Sequence, residues 1–487
     1  MIHTSDSLTQ WALTVLFSVV LGTFALIAVA FIRRWQQVRY ARYLHELQLR
    51  YRPILAKLLR GEQRPTGIEA LRELPLGEVE ILLDPLLSKR KLTPRQLVFL
   101  QALCAELGLI TLWQHRVTNG HGPATSVRSD EVQATASDPA LVRHLLRAKS
   151  IRNLGRLRHH PSWQVLTGAI HDRHQDIQSV ALRSLSSLGA TESFPVLRDH
   201  LHAVMEQRSS SVPLAALQAA MVSFDLGCAP ALAPSLIHPN ERLRLHATEI
   251  LRAMVYRRAA ELPDLTLTPE PLTPPMVDSL LNRLITDPSA EIRARVAEVL
   301  VFLADRRVPS TLHKLLLDHE WFVRLRTVRA LAHWRHAAAP MQWDIRARLR
   351  DSHWRVREAA ILTLLSFGRP GKRQLYEAFL TSTDPFACAQ IVEVLERTGL
   401  ISTLMEEYGN GSKGLHALVV EQLASEAAPR GLAGSLRTLS PEIRRKFLER
   451  FLAHAESRVH FLHEAHSIVE RPVVPQRRLP LSRSLVA

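Results

Sequence analysis

The sequence predicts an all-α protein, an α-solenoid of stacked helical hairpins behind one N-terminal transmembrane helix. Three observations carry that reading. The 487 residues are 46% hydrophobic but only 6% aromatic, and Leu, Ala and Arg dominate, a composition that favours helices over sheets. An uncharged apolar run fills residues 11–32. In the body, an aspartate followed five residues later by an aliphatic residue, usually with arginine next, recurs at intervals close to 33 residues. The length rules out a mini-protein held by disulfides. A charged fraction of 22% rules out a charge-dominated disordered chain.

Residues 1–10 form a short segment ahead of the span, with Asp6 and no Lys or Arg. Residues 11–32 (WALTVLFSVVLGTFALIAVAFI) number 22; at about 1.5 Å per residue they reach roughly 33 Å, enough for a hydrocarbon core of about 30 Å. Trp11 stands at one end and Trp35, Tyr40 and Tyr43 flank the other, as interfacial aromatic belts do. A buried core helix is one alternative. A cleaved signal peptide is the other, but it would carry a basic first segment and a shorter apolar core. Here Arg33 and Arg34 follow the run directly. With Arg39 and Arg42 they lead nine Lys and Arg residues between positions 33 and 64, opposed only by Glu46 and Glu62. That asymmetry places the N-terminus outside and the rest of the chain in the cytoplasm. The cluster also suits anionic lipid, worth about 1 kcal/mol per basic residue near the surface. Cys104, Cys228 and Cys388 are far apart and form no Cys-x-x-Cys pair, in keeping with a reducing compartment and with neither disulfides nor a thiolate metal site.

Residues 33–116 read as a basic juxtamembrane and helical region. Leu44, Leu47, Leu55, Leu58 and Leu59 form an amphipathic run able to continue from the span. Residues 117–137 are polar and aperiodic, a flexible loop. From 138 to about 400 the aspartate motif sets the pattern. It pairs Asp172 with Ile177, Asp287 with Ile292-Arg293, Asp318 with Val323-Arg324, and Asp351 with Val356-Arg357. His238 with Leu243-Arg244 is a variant. The step is 31 residues from Asp287 to Asp318, then 33 to Asp351 and 33 again to Asp384. Offsets of +4, +7 and +8 from each aliphatic residue stay small or apolar, as in Ile292, Val296, Val299 and Leu300. That spacing is one face of an α-helix, and five helices share the register. The unit at Asp384 is blurred, with Cys388, Val392 and Leu395 fitting one residue early. Prolines crowd residues 257–275 and lengthen the step from Leu243 to Ile292 to 49 residues, a looped insertion over one face of the array. Residues 401–470 read as further helical repeats or a cap. Residues 471–487, with four Arg, three Pro and no acid, read as a flexible basic tail.

The pattern resembles the HEAT-repeat family in its short, phycobilisome-lyase-like form. The run Asp287-Pro288-Ser289-Ala290-Glu291-Ile292-Arg293-Ala294 is the closest match to the family's Asp-Pro-x-x-x-Val-Arg motif. The resemblance implies antiparallel helix pairs stacked into a curved solenoid. It implies that Asp172, Asp287, Asp318, Asp351 and Asp384 brace the turns and that Arg293, Arg324 and Arg357 ladder to aspartates of neighbouring repeats. Asp172, Asp318 and Asp351 lack the following proline, and Gln178 replaces one Arg. The resemblance covers about residues 138–400. It speaks to fold and hardly to activity.

Twenty-three histidines raise the question of a metal. Some HEAT-type proteins resembling deoxyhypusine hydroxylase hold two irons through repeated His-Glu pairs. Of His45-Glu46, His319-Glu320 and His463-Glu464, only the second lies in a clear repeat, and it sits in the turn. Without converging ligands, no metal, cofactor or catalytic residue is expected. The chain has no Gly-rich phosphate loop, nucleophile elbow, HExxH or kinase signature. Trp321 and Trp354 stand three residues after the Asp of successive repeats, with Phe322 beside the first. These aromatics either staple onto the following helix or anchor a partner protein.

The formal charge of +16 is unevenly placed. The juxtamembrane cluster and the tail hold most of it, and residues 65–470 carry only a mild excess. A nucleic-acid-binding solenoid would show a denser basic stripe, so nucleic acid is an unlikely partner. An Arg bias of 54 against 8 Lys is also what a GC-rich coding sequence produces. The expected protein is therefore a non-enzymatic, single-pass scaffold of a bacterial inner membrane. It binds and organises or regulates a partner protein such as a membrane enzyme or envelope-synthesis component. A bilin-lyase-like or hydroxylase-like enzyme on the same fold is the alternative. Nucleic-acid binding, whose affinity collapses with salt, is the weaker one.

Overall fold

The computed structural model describes residues 3–60, 64–88, 92–119, 139–206, 212–261, 272–332, 341–424 and 429–453. Every element among them is helical, with no β-strand. The chain divides into two compact units, Met1–Asp225 and Leu226–Ala487.

The first unit opens with α1 (His3–Arg60), 58 residues in one helix with Pro53 inside it; at about 1.5 Å per residue it is roughly 87 Å long. Residues 16–32 are exposed on every side, Phe17 at 68% and Leu26 at 71%. Helix α1 is long and apolar enough to cross a membrane, with mean hydropathy 2.2 in its most apolar window and none of that window buried. Past this stretch the same helix enters the body. Leu47, Tyr51, Leu55 and Leu58 turn one face inward, toward α2 (Arg64–Arg72) and α3 (Leu76–Leu87). Tyr43 Oη donates to Glu78 at 2.9 Å.

Next come α4 (Pro94–Glu106) and α5 (Leu109–Asn119), bent by 73° where Gly108 takes a φ of 77°. The Thr93 hydroxyl accepts from the Gln96 N–H, and the Gln96 side chain accepts from the Thr93 N–H, a reciprocal cap that starts α4. Then follow α6 (Pro139–Arg156), α7 (Trp163–Gly168), α8 (Gln175–Leu188), α9 (Ser193–Met205) and α10 (Leu214–Val222). Alternate helices stack in sequence, α5 on α6, α6 on α8 and α8 on α10. At Gly155 a Cβ would lie 2.5 Å from the Cβ of Ser184. Only glycine lets α6 approach α8 this closely. A polar knot ties the start of this stack. Arg116 donates to Glu80 at 2.8 Å, Asn153 donates to the other Glu80 oxygen at 3.2 Å, and Lys149 lies 3.7 Å from it.

In the second unit, α11 (Ala233–Leu236) precedes α12 (Glu241–Glu261) and α13 (Pro274–Asp278). After them run α14 (Ala290–Leu300), α15 (Val308–Leu316), α16 (Trp321–Leu331), α17 (Gln342–Ala347) and α18 (Trp354–Ser366). The unit continues with α19 (Arg369–Thr381), α20 (Pro385–Thr398), α21 (Leu400–Gly409), α22 (Leu415–Gln422), α23 (Pro429–Ser435) and α24 (Pro441–Leu452). Helices α12, α14, α16, α18 and α20 stack one on the next. Their registers explain why. Leu243, Ile292, Val323 and Val356 are fully buried, as are Ala247, Val296, Thr327 and Ala360 at +4 and Leu251, Leu300, Leu331 and Leu364 at +8. Each aliphatic side chain so buried contributes about 1.5–3 kcal/mol. At the far end Tyr408 packs on Phe447 and Phe451, at 5.7 and 6.1 Å between ring centroids.

Two expected loops differ in part. Residues 257–261 extend α12, and Pro274 and Pro275 begin α13, because proline is tolerated in a first helical turn where its missing N–H has no partner to lose. Of the insertion, residues 262–271 lie outside the described residues. So do 120–137 of the expected loop, Trp334, His463-Glu464 and the tail 471–487.

The Glu80–Arg116 pair, each side chain 4% exposed, supplies a test. Arg116→Met leaves a buried carboxylate without its strongest partner and is expected to cost about 3–5 kcal/mol. Adding Glu80→Leu should recover most of that loss in urea unfolding of the full chain in detergent. Equal losses in the single and double variants would show that the pair does not hold this corner.

Candidate functional site

The repeat turns are built around one side chain each. After Asp287, Asp318 and Asp351 two residues intervene before the next helix starts. In each turn the aspartate Oδ1 accepts the backbone N–H two residues on, from Ser289 at 3.0 Å, Glu320 at 2.9 Å and His353 at 3.0 Å. Asp172 does the same with His174 at 2.9 Å. This is the side-chain-to-backbone turn that aspartate favours.

The same carboxylates receive an arginine from the preceding stacked helix. Arg244 donates through Nε and Nη2 to both oxygens of Asp287 at 2.7 and 3.0 Å. Arg293 holds Asp318 at 2.7 and 2.9 Å, and Arg324 holds Asp351 at 2.7 and 2.7 Å. The third nitrogen of each guanidinium donates back into its own turn, Arg293 to the Asp287 carbonyl and Arg324 to the Asp318 carbonyl, both at 2.8 Å. Burial pushes the carboxyls of Asp318 and Asp351 up. The bonds from Arg293 and Arg324 and the turn N–H groups outweigh it and hold both below the ordinary range. The hydrogen bonds from their aspartates raise Arg293 and Arg324 above the ordinary arginine value, against the opposing effect of burial.

The ladder differs from expectation at its ends. Arg357 donates to the Asp351 carbonyl of its own turn at 2.9 Å, but its Nε has no partner among the described residues. Asp384 caps α20 through the Phe386 N–H at 2.9 Å. Because α20 starts at Pro385, directly after Asp384, the two-residue turn that aims the other carboxylates back at the preceding helix is missing. In the first unit Asp172 pairs with Arg147 of α6. Gln178 keeps the bond into its own turn, to the Asp172 carbonyl at 2.6 Å.

A second ion-pair network, not read from the sequence, crosses α12, α14 and α16 around the buried Glu298 and the partly buried Glu249. Glu249 meets Arg252 and Arg295, both at 2.6 Å. Glu298 meets Arg326 at 2.8 Å and Arg252 at 3.2 Å. Its signal was present as Glu at the +6 position of two repeats and Arg at the +3 position of two. It took the stacking to bring them together.

The aromatic residues lie where the turns meet the helices. Trp321 and Trp354 are the first residues of α16 and α18, so neither is placed ahead of the helix as a staple requires. Trp321 instead stacks on His353, with centroids 3.9 Å apart and planes 5° from parallel. His353 and Trp354 follow at 6.3 Å. Phe322 meets the Trp321 ring edge-on at 6.0 Å and is half-buried. The Arg355 guanidinium lies 5.8 Å from the Trp321 ring and 5.3 Å from the Trp354 ring. Trp354 is 49% exposed. His319 and Glu320 point to solvent beside this stack. Among the described residues no three His, Cys, Asp or Glu side chains gather as metal ligands. On α1, Arg34, Arg39 and Arg42 are exposed, with Arg39 over the Trp35 ring at 4.7 Å; the Arg33 side chain lies outside the described residues.

The family described as HEAT repeats matches residues 277–341. No curated protein sequence matches the chain. Similar solved structures include an engineered protein at 15% identity, covering 70% of this chain and 97% of that one with a TM-score of 0.30. Kap121p matches at 12% identity over 86% of this chain and 56% of its own, TM-score 0.35. YibA of Escherichia coli matches at 14% over 69% and 98%, TM-score 0.26.

The depressed carboxyls set a pH dependence. A group whose folded pKa lies below its unfolded value of about 3.9 stabilises the fold above that pH and loses its contribution as pH falls through the folded value. The urea midpoint of the full chain should therefore fall as pH drops below about 5. Asp318→Asn with Asp351→Asn should flatten that fall; an unchanged slope would show that these carboxylates do not carry it.

Proposed function

Because the chain belongs to the HEAT-repeat family, we propose that it is a single-pass membrane protein whose helical repeats act as a non-enzymatic scaffold for partner proteins. The observation that carries the reading is the aromatic edge of half-buried Trp321 and exposed Trp354, set on a stack whose turn aspartates are engaged in the ladder. Stacked repeats offer extended surfaces of this kind to proteins, and clustered aromatics beside arginine are the side chains that dominate protein interfaces.

Anchoring rests on α1. Its exposed apolar residues 16–32 need a hydrocarbon surrounding, and the basic cluster after them, including Arg34, Arg39 and Arg42, sets the body on the cytoplasmic side of an inner membrane. Helix α1 enters the first unit without a break, so that unit works close to the bilayer and within reach of a membrane-bound client. A membrane enzyme or an envelope-synthesis component fits that position.

The test has two parts. With a cysteine placed by Ser7→Cys, an impermeant maleimide should label intact cells, and with Lys413→Cys it should label only after lysis; the reverse pattern contradicts the orientation. Deleting residues 138–400 should abolish the proteins that co-purify with the full chain. Retention of every partner by that deletion would overturn the scaffold reading.

A further inference from the structure

We propose that the turn edge bearing Trp321, Trp354 and Phe386, with the cleft beside Trp343, docks an acidic segment of a partner protein that carries bulky apolar side chains; this rests on the scaffold reading above and names the chemistry of its partner.

The edge is a repeated feature. Trp321 and Trp354 each stand two residues before the buried residue that opens the helical stripe, Val323 and Val356; Phe386 stands one residue before Ala387, which opens the buried stripe of α20 with Ile391, Val394 and Leu395. Phe386 is one place out of that register but lies in the same first helical turn. Glu241 in α12 and Ala290 in α14 occupy the place of the tryptophans, so aromatic first turns mark α16, α18 and α20 only. Phe386 is 71% and Trp343 63% exposed. Large aromatic side chains left in water beside one another mark an interaction surface. Stacking on His353 already orders Trp321, so a partner meets a preformed platform at small entropic cost.

Charge selects the partner. Most acids near this edge are engaged: Asp318 and Asp351 in the ladder, Asp344 with His313 at 2.9 Å, Glu358 with Arg397, and Glu377 with Arg346 and Arg373, while Glu320 beside Trp321 is solvent-exposed and lies 3.8 Å from His319. Arg355 lies beside Trp354 and Arg350 lines the cleft with Trp343, and among the described residues no carboxylate is recorded against either. Two guanidinium groups beside exposed rings call for carboxylates on the ligand.

Shape favours a polypeptide over a lipid surface or a nucleic acid. Between α17, α19 and α20 lies a cleft of about 390 Å³, walled by Trp343, Arg346, Arg350, Ala387 and Ile391. A concave site with an apolar floor and guanidinium walls takes an inserted side chain, whereas a bilayer meets a convex or flat face. Two free arginines are fewer than the basic track that nucleic acid requires.

Random dodecapeptides displayed on phage, panned against the full chain in phosphatidylcholine nanodiscs, test the proposal. The comparison is the variant Trp354→Ala, Arg350→Gln, Arg355→Gln, whose changes are all at exposed positions and should leave the melting temperature unchanged. The expected clones are net acidic with bulky apolar residues, lose at least about tenfold in affinity on the variant and weaken with salt. Recovered clones that are neutral or basic, clones that bind the variant equally, or no clones at all would overturn it. A bimane on Phe386→Cys should be unmoved when phosphatidylglycerol is added to the nanodiscs or when oligouridine is added. A shift with either would assign the edge to lipid or RNA and sink the proposal. If cellular partners survive the triple change but vanish on deleting residues 138–400, this site falls and the scaffold reading stands.

Discussion

Each laddering guanidinium of the second unit binds three groups at once: both oxygens of the next aspartate and a carbonyl of its own turn. The carboxylate it meets is already fixed by a backbone N–H two residues on. A buried ion pair in poor geometry would cost more in desolvation than it returns. Here the side-on fork satisfies most donors and acceptors, the arrangement for which arginine is suited and lysine is not. The consequence is geometric. Arg244, Arg293 and Arg324 hold α12, α14, α16 and α18 in one register, so the buried stripe of each helix faces the same stripe on the next. Where the next aspartate is out of position, at Arg357, the buried stripe opens two residues early in α20, at Ala387.

This constraint also determines what remains for the surface. The aspartates of the turns point inward to the ladder, and Glu249 and Glu298 are taken up by three arginines on the other side of the stack. The turn edge is left mainly with rings and guanidinium groups, Glu320 beside Trp321 being the exposed exception. Trp321, His353 and Trp354 stand there because the turns start successive helices at equivalent points, so a residue type repeated in sequence becomes a column in space. Surface chemistry of the repeats is thus a by-product of how their interiors are tied.

The helical stripes were readable in the sequence because burial at a period of 3.6 leaves a local pattern. Ile292, Val323 and Val356 mark it without any knowledge of neighbours. The direction of the ladder was not local. Its pairs lie 25 to 43 residues apart, and only the family resemblance suggested that Arg293 reaches Asp318. The same resemblance misplaced Arg357 and Asp384, since it cannot register a turn two residues shorter. Glu80, Arg116 and Asn153 carried no signal at all, because their contacts depend on three helices meeting. The stripe of α20 was read from Cys388, which is only half-buried; the shorter turn after Asp384 makes it open at Ala387 instead.

That the Arg–Asp pairs register the stack is best measured by a double-mutant cycle at Arg324 and Asp351, using Arg324→Ala, Asp351→Ala and the combination in urea unfolding of the full chain. A cooperative rung gives a coupling energy of at least about 1 kcal/mol, because the first substitution already removes what the second would lose. Effects that add to within about 0.3–0.5 kcal/mol would mean the two side chains act independently. The ladder would then be a decoration of the stack, not its constraint.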